Sequence, residues 1–175
     1  MNRILRMSRH LIGTACVVGC SSSEAGLTPH PVAGTIDFDL FAAASAAVDS
    51  RWTYFGRSPA QLVANSGRAH AYEFVRIRYD EKAAGQLDAA GRVKSGARFT
   101  DSSTIVKELY EGGALRRYAV MRKLPASGQA GAGGWVWAEY EVDGRVAYSA
   151  GGRGGACGAC HSAGVDFTRT NDSHP

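Results

Sequence analysis

Thr104-Ile105-Val106-Lys107-Glu108-Leu109-Tyr110 is the stretch on which the reading of the chain turns. A strand sends successive side chains to opposite faces, so Ile105, Lys107 and Leu109 share one face while Thr104, Val106, Glu108 and Tyr110 take the other. Upstream, between Ala71 and Tyr79, Val75, Ile77 and Tyr79 alternate with Arg76 and Arg78, which predicts a half-buried strand. Downstream, a third strand is expected over about Arg117 to Lys123 and a fourth over Trp135 to Val142. Asp143-Gly144 then turns the chain back into Arg145 to Ser149, a strong hairpin signal. Sequential antiparallel strands with a few short helices predict an α+β fold, mainly antiparallel β-sheet. Pro125 to Gly134 reads as a flexible loop, and there is no internal repeat.

The helices are marked by their caps. Asp80 is placed to cap a short Ala-rich helix that stops near Gly91. Ser58-Pro59-Ala60-Gln61 reads as a second helix start, with Ser58 as N-cap, and that helix is expected to end by Asn65-Ser66-Gly67. Ile36 to Val48 is rich in Ala and suits a short helix before Asp49.

The first residues read as an address. Arg3, Arg6 and Arg9 precede a mostly apolar run from Leu11 to Gly19, followed by Cys20 and three serines. A basic flank, a short apolar stretch and small residues make an export signal over residues 1–19, too short to span a bilayer. Val17-Val18-Gly19-Cys20 resembles a bacterial lipobox, which would make Cys20 a lipidated first residue and tie the protein to a membrane only through that lipid. The alternative is an ordinary secretory signal that happens to contain Cys16 and Cys20. Either way the mature protein is expected in the periplasm. Residues 20–45, with Ser, Gly and Pro mixed without period up to Gly34, read as a flexible tether, and 46–175 as the folded domain.

Charge excludes one class of partner. The chain has 175 residues, with 20 Lys plus Arg against 16 Asp plus Glu, and a formal net charge of +4. Three of the arginines lie in the leader, which carries no acid, so the mature protein is nearly neutral and no nucleic-acid partner is expected.

Cys157-Gly158-Ala159-Cys160-His161 carries the chemistry. Cys-x-x-Cys-His is the attachment site of a c-type haem: two thiols three positions apart bond the two vinyl groups, and the adjacent imidazole becomes the proximal iron ligand. Four glycines between Gly151 and Ala156 let backbone pass close to a flat cofactor. A redox dithiol would want a strand-to-helix setting after a βαβ start, and a zinc site a second Cys pair; neither is present. For the sixth iron position the mature chain offers Met121, His30, His70 and His174. Met121 reads as core, His30 lies in the tether, His174 is next to the C-terminus, and His70 begins a strand as a weak candidate. An open or water-bound distal position follows, and with it the binding or conversion of a small molecule.

Taken with Thr104-Ile105-Val106-Lys107-Glu108 and Trp135-Val136-Trp137-Ala138-Glu139-Tyr140, the C-terminal haem motif resembles the cytochrome P-460 family, whose relatives include the cytochromes c′-beta. The resemblance covers residues 50 to 170 approximately. It implies a mainly β-sheet homodimer with one five-coordinate haem per chain. Members with a lysine cross-linked to the porphyrin oxidise hydroxylamine and pass electrons to an accepting cytochrome; the c′-beta branch lacks the bond and binds nitric oxide and similar gases. By this resemblance Lys107 matches the cross-linking lysine and Arg76 a distal-pocket arginine that donates to an iron-bound species. From the residues alone, Lys107 could instead snorkel to solvent or pair with a haem propionate, and Arg76 could face solvent. Phe55, Tyr79 and Phe99 are candidates for the apolar pocket or for ordinary core. The family's acidic distal residue has no evident counterpart: Tyr118 to Lys123 holds no acid, and Glu139 and Glu141 alternate with apolar residues as if facing solvent. The tail after His161, Ala163 to Thr168, is shorter than the family pattern. A simple electron-transfer cytochrome is the remaining alternative.

Overall fold

β4, Thr104–Glu111, is the central strand of the molecule, and it turns into β5, Ala114–Lys123, through Gly112-Gly113. Both glycines have positive φ, 58° and 74°, the backbone that a tight two-residue hairpin of the strand twist requires. The computed structural model describes residues 29–60, 62–64, 70 and 72–170. The leader, Cys20, the first part of the expected tether, Gln61, Asn65-Ser66-Gly67, Ala71 and His174 lie outside the described residues.

The other strands are β1 (Thr53–Tyr54), β2 (Val63–Ala64), β3 (Phe74–Tyr79), β6 (Trp135–Glu141) and β7 (Val146–Tyr148). They form one antiparallel sheet in the order β1-β3-β4-β5-β6-β7, with β2 pairing the other end of β3. Among the described residues three short α-helices flank it: α1 (Ile36–Ser45), α2 (Glu81–Ala84) and α3 (Gly155–His161). The mainly antiparallel α+β expectation holds.

Both faces of the sheet are covered. Ile105 and Leu109 of β4 join Val75, Ile77, Tyr79, Met121, Trp135 and Trp137 beneath Leu87, Val93 and Phe99. Val106 faces the other way, with Val120, Val136, Ala138 and Tyr140, under Leu40 and Ala44 of α1.

That second layer corrects the expected tether. Thr35 caps α1 by accepting from the Phe38 N–H, and Leu40 and Ala44 are fully buried. The Asp37 carboxylate accepts from Tyr140, from the Ser149 hydroxyl and from the Ala150 N–H. The folded domain therefore includes residues 36–45. Three further local expectations change. Ser58 is extended, φ −127°, and the chain turns into β2 and pairs with β3, so strand pairing prevails over the helix-cap signal. Asp80 caps α2 through the Ala83 N–H as expected, but the helix stops at Ala84, and an antiparallel bridge between Leu87 and Val93 takes over the rest. Arg78, on the polar side of the expected half-buried strand, is 1% exposed, because α1 covers that face.

Candidate functional site

α3 is brought against the sheet by close packing. Its N-cap, Gly154, has φ 73°, and a Cβ there would run into the Trp137 ring. The glycine-rich segment thus approaches an aromatic side chain closely, and the helix that follows carries Cys157, Cys160 and His161 along one wall of a cavity of about 420 Å³. That volume lies within the roughly 300–1,000 Å³ of small-molecule and cofactor sites.

The opposite wall is the sheet. Antiparallel pairing sets Ile77, Lys107, Ala119 and Glu139 side by side across β3, β4, β5 and β6. Because Ala119 is small, space opens between Lys107 and Glu139, and all three line the cavity. Lys107 is 3% exposed. A register shift at Glu139/Tyr140 marks a bulge where β6 meets β7, a device that commonly re-aims side chains at sites. Ile105, Met121 and Trp137 continue the wall one row further along.

His161 is buried, and its Nδ1 lies 3.0 Å from the Phe167 carbonyl oxygen. A carbonyl only accepts, so Nδ1 carries the proton in the neutral ring and Nε2 is the basic nitrogen. Burial, followed by the charge of Lys107, lowers its pKa to about 4 against the opposing pull of the Phe167 bond, so the imidazole is neutral at neutral pH. Trp137 stands edge-on to it, ring centroids 6.5 Å apart. Cys157 and Cys160 are unbridged thiols, and burial raises the Cys157 pKa.

At the far end of the cavity Glu139 sits between His70 and Arg117. Its Oε1 is 3.2 Å from His70 Nδ1 and its Oε2 is 3.0 Å from Arg117 Nη1. Burial opposes ionisation of Glu139, but bonds to and charge from His70 and Arg117 outweigh it and hold the carboxyl below its ordinary value. Arg117 also reaches Glu141 at 2.5 Å and lies over the Tyr72 ring.

Among the residues singled out from sequence, Cys157, Cys160, His161 and Lys107 meet in this cavity. Arg76 does not, which corrects its expected distal placement. Strand alternation puts it on the opposite face of β3 from Ile77, where it pairs with Glu108 Oε2 at 2.5 Å. Arg78 and the Tyr110 hydroxyl complete that cluster around Glu108. Met121 and His70 line the cavity, whereas His30 packs beside Gly144 at the β6–β7 turn. Phe55, Tyr79 and Phe99 belong to the apolar core.

Glu139, His70 and Arg117 are the residues that sequence reasoning missed as a group. One signal was there: Glu139 has the strand parity of Trp135 and Trp137, which marks an inward face. The donor set present fits a c-type haem. Two unbridged thiols three positions apart and a neutral imidazole with Nδ1 already engaged share a mostly apolar cavity, and a buried amine stands opposite them. Among known proteins, no family model matches this sequence and no curated protein is significantly similar to it.

Proposed function

We propose that the chain is an exported c-type cytochrome of the cytochrome P-460 kind that oxidises hydroxylamine or a related small reduced nitrogen compound. The observation that carries this reading is the meeting of Cys157, Cys160 and His161 with Lys107 and the carboxylate of Glu139 around one cavity. When bound, the haem would supply a redox-active iron that could bind the substrate nitrogen and pass electrons to an accepting cytochrome.

The chain's own residues supply the rest. Cys157 and Cys160 would hold the porphyrin through thioethers and His161 would offer Nε2 to its iron, while Phe167 fixes the imidazole ring through Nδ1. Lys107, on the opposite wall, is the residue for a third attachment at the ring edge. Glu139 is ionised and accepts a substrate proton at Oε1 or Oε2; His70 and Arg117 keep it oriented and charged. Ile105, Ala119 and Met121 make the surrounding wall apolar, which strengthens each of these electrostatic contacts. Periplasmic location, a lipid on Cys20 and a homodimer belong to the same proposal.

The test is turnover by the matured protein. Hydroxylamine should reduce an artificial electron acceptor only in its presence, and the ferrous Soret band should lie far to the red of an ordinary haem c. A normal high-spin spectrum that responds to nitric oxide, with no turnover, would make it a gas-binding protein of the c′-beta kind. A further reading rests on His70 in the cavity: if it ligates the iron, the protein is an electron carrier. Its spectrum would then be sharply low-spin, and His70→Ala would convert it to high-spin.

A further inference from the structure

The loop after α3 is held by an unusual anchor. Its Asp166 and Phe167 both have positive φ, 46° and 62°, a backbone region costly for residues other than glycine, so the surroundings must enforce it. They do so at the end of the sheet. Lys123, the last residue of β5, bonds both Asp166 carboxylate oxygens at 2.9 Å. Phe99 donates its backbone N–H to Oδ2 at 2.9 Å, and Arg98 approaches Oδ1 at 3.5 Å. Trp135, the first residue of β6 and the register partner of Lys123, donates Nε1–H to the Asp166 carbonyl at 2.8 Å. The Asp166 side chain is 3% exposed, and the Lys123 ammonium stands over the Trp135 ring. The very next residue, Phe167, is the one whose carbonyl accepts from His161 Nδ1.

We propose that Asp166, clamped by Lys123 and Trp135, is the positioning residue for the proximal histidine. It sets the place and direction of the Phe167 carbonyl, and through it the orientation and basicity of His161. The inference rests on the haem reading above. Hydrogen bonding at the far ring nitrogen fixes a ligating imidazole and raises its donor strength; loss of such partners commonly costs roughly 10- to 100-fold in affinity or activity. Weakening the clamp therefore weakens the iron–imidazole bond and disfavours the ferric state.

The experiment uses the full matured chain. Covalent haem content, the ferrous iron–imidazole stretching band and the midpoint potential are measured for wild type, Asp166→Asn, Lys123→Met, the double variant and Lys123→Arg. The double variant removes both charges at once, so neither is left buried without its partner. With covalent haem retained, the single and double variants should show the stretching band at lower frequency and a more positive potential, and Lys123→Arg should return both toward wild type. Where Asp166→Asn does not fold, Lys123→Met and the double variant give the same readout. Haem-loaded variants with wild-type band and potential would overturn the clamp and leave the haem reading standing. Wild type without covalent haem would overturn the haem reading, and the clamp's proposed role with it.

Discussion

Glu139 and Lys107 face the same space from β6 and β4, separated by Ala119, and each has a different part in the proposed chemistry. The Glu139 carboxyl is held below its ordinary value of 4.5. A depressed carboxyl pKa means that its stabilising contribution is complete above the unfolded value and is lost as pH falls through the folded one. Once the protonation of hydroxylamine itself is corrected for, the acid limb of kcat/KM should accordingly lie below pH 4.5. Glu139→Gln should abolish that limb and lower turnover by about 100-fold, with haem content unchanged. An acid limb that Glu139→Gln leaves in place would exclude Glu139 as the base. Lys107→Met keeps the volume of the side chain and removes its amine. The haem peptide of the wild type should carry a third attachment in the mass spectrum; the variant should lack it and show a Soret band no longer displaced to the red. An unaltered haem peptide would exclude the cross-link. Lys107 was legible from the alternation of one strand. Glu139 was harder, because its place beside Lys107 depends on the pairing of three strands, and register is not written in any one of them. Arg76 failed for a related reason: the parity that turns Ile77 toward the sheet face that carries the cavity turns its neighbour away.

The elements differ in how much of their fate is local. β4, β5 and the β6–β7 hairpin follow from alternation and turn residues, which act over a few positions. α1 has local signals too, Thr35 at its cap and a run of alanines, yet its role as the lid over Val106, Val136 and Tyr140 is a long-range matter. The same lid explains Arg78, which bonds the Ala44 carbonyl and stacks over Trp52 with Glu108 at hand. Burial on that scale has a measurable consequence. Leu40→Ala should lower unfolding free energy by roughly 2–5 kcal/mol, read by denaturant unfolding of the matured protein. A freely hanging tether would give no change. The short segment after Ser58 shows the reverse balance: its cap residues were legible, but pairing of Val63 with Val75 decides the structure.

At the scale of the whole molecule, the sheet does two jobs through its two faces. One face is closed by α1 and the Arg76–Glu108–Arg78 cluster, which fixes the strands in register. The other holds apolar core along part of its surface and opens into the cavity under α3. The segment after α3 returns to the sheet end through Asp166, which β5 and β6 hold by Lys123 and Trp135, and β6 also carries Glu139. Among the described residues no helix is long and apolar enough to cross a membrane. The most direct test is the intact mass and alkaline pyridine spectrum of the protein exported from a host with c-type cytochrome maturation. One haem per chain, resistant to acid extraction and lost from Cys157→Ser/Cys160→Ser, is the predicted result. A mature chain with no covalent haem, its two thiols free or joined to each other, would contradict the account.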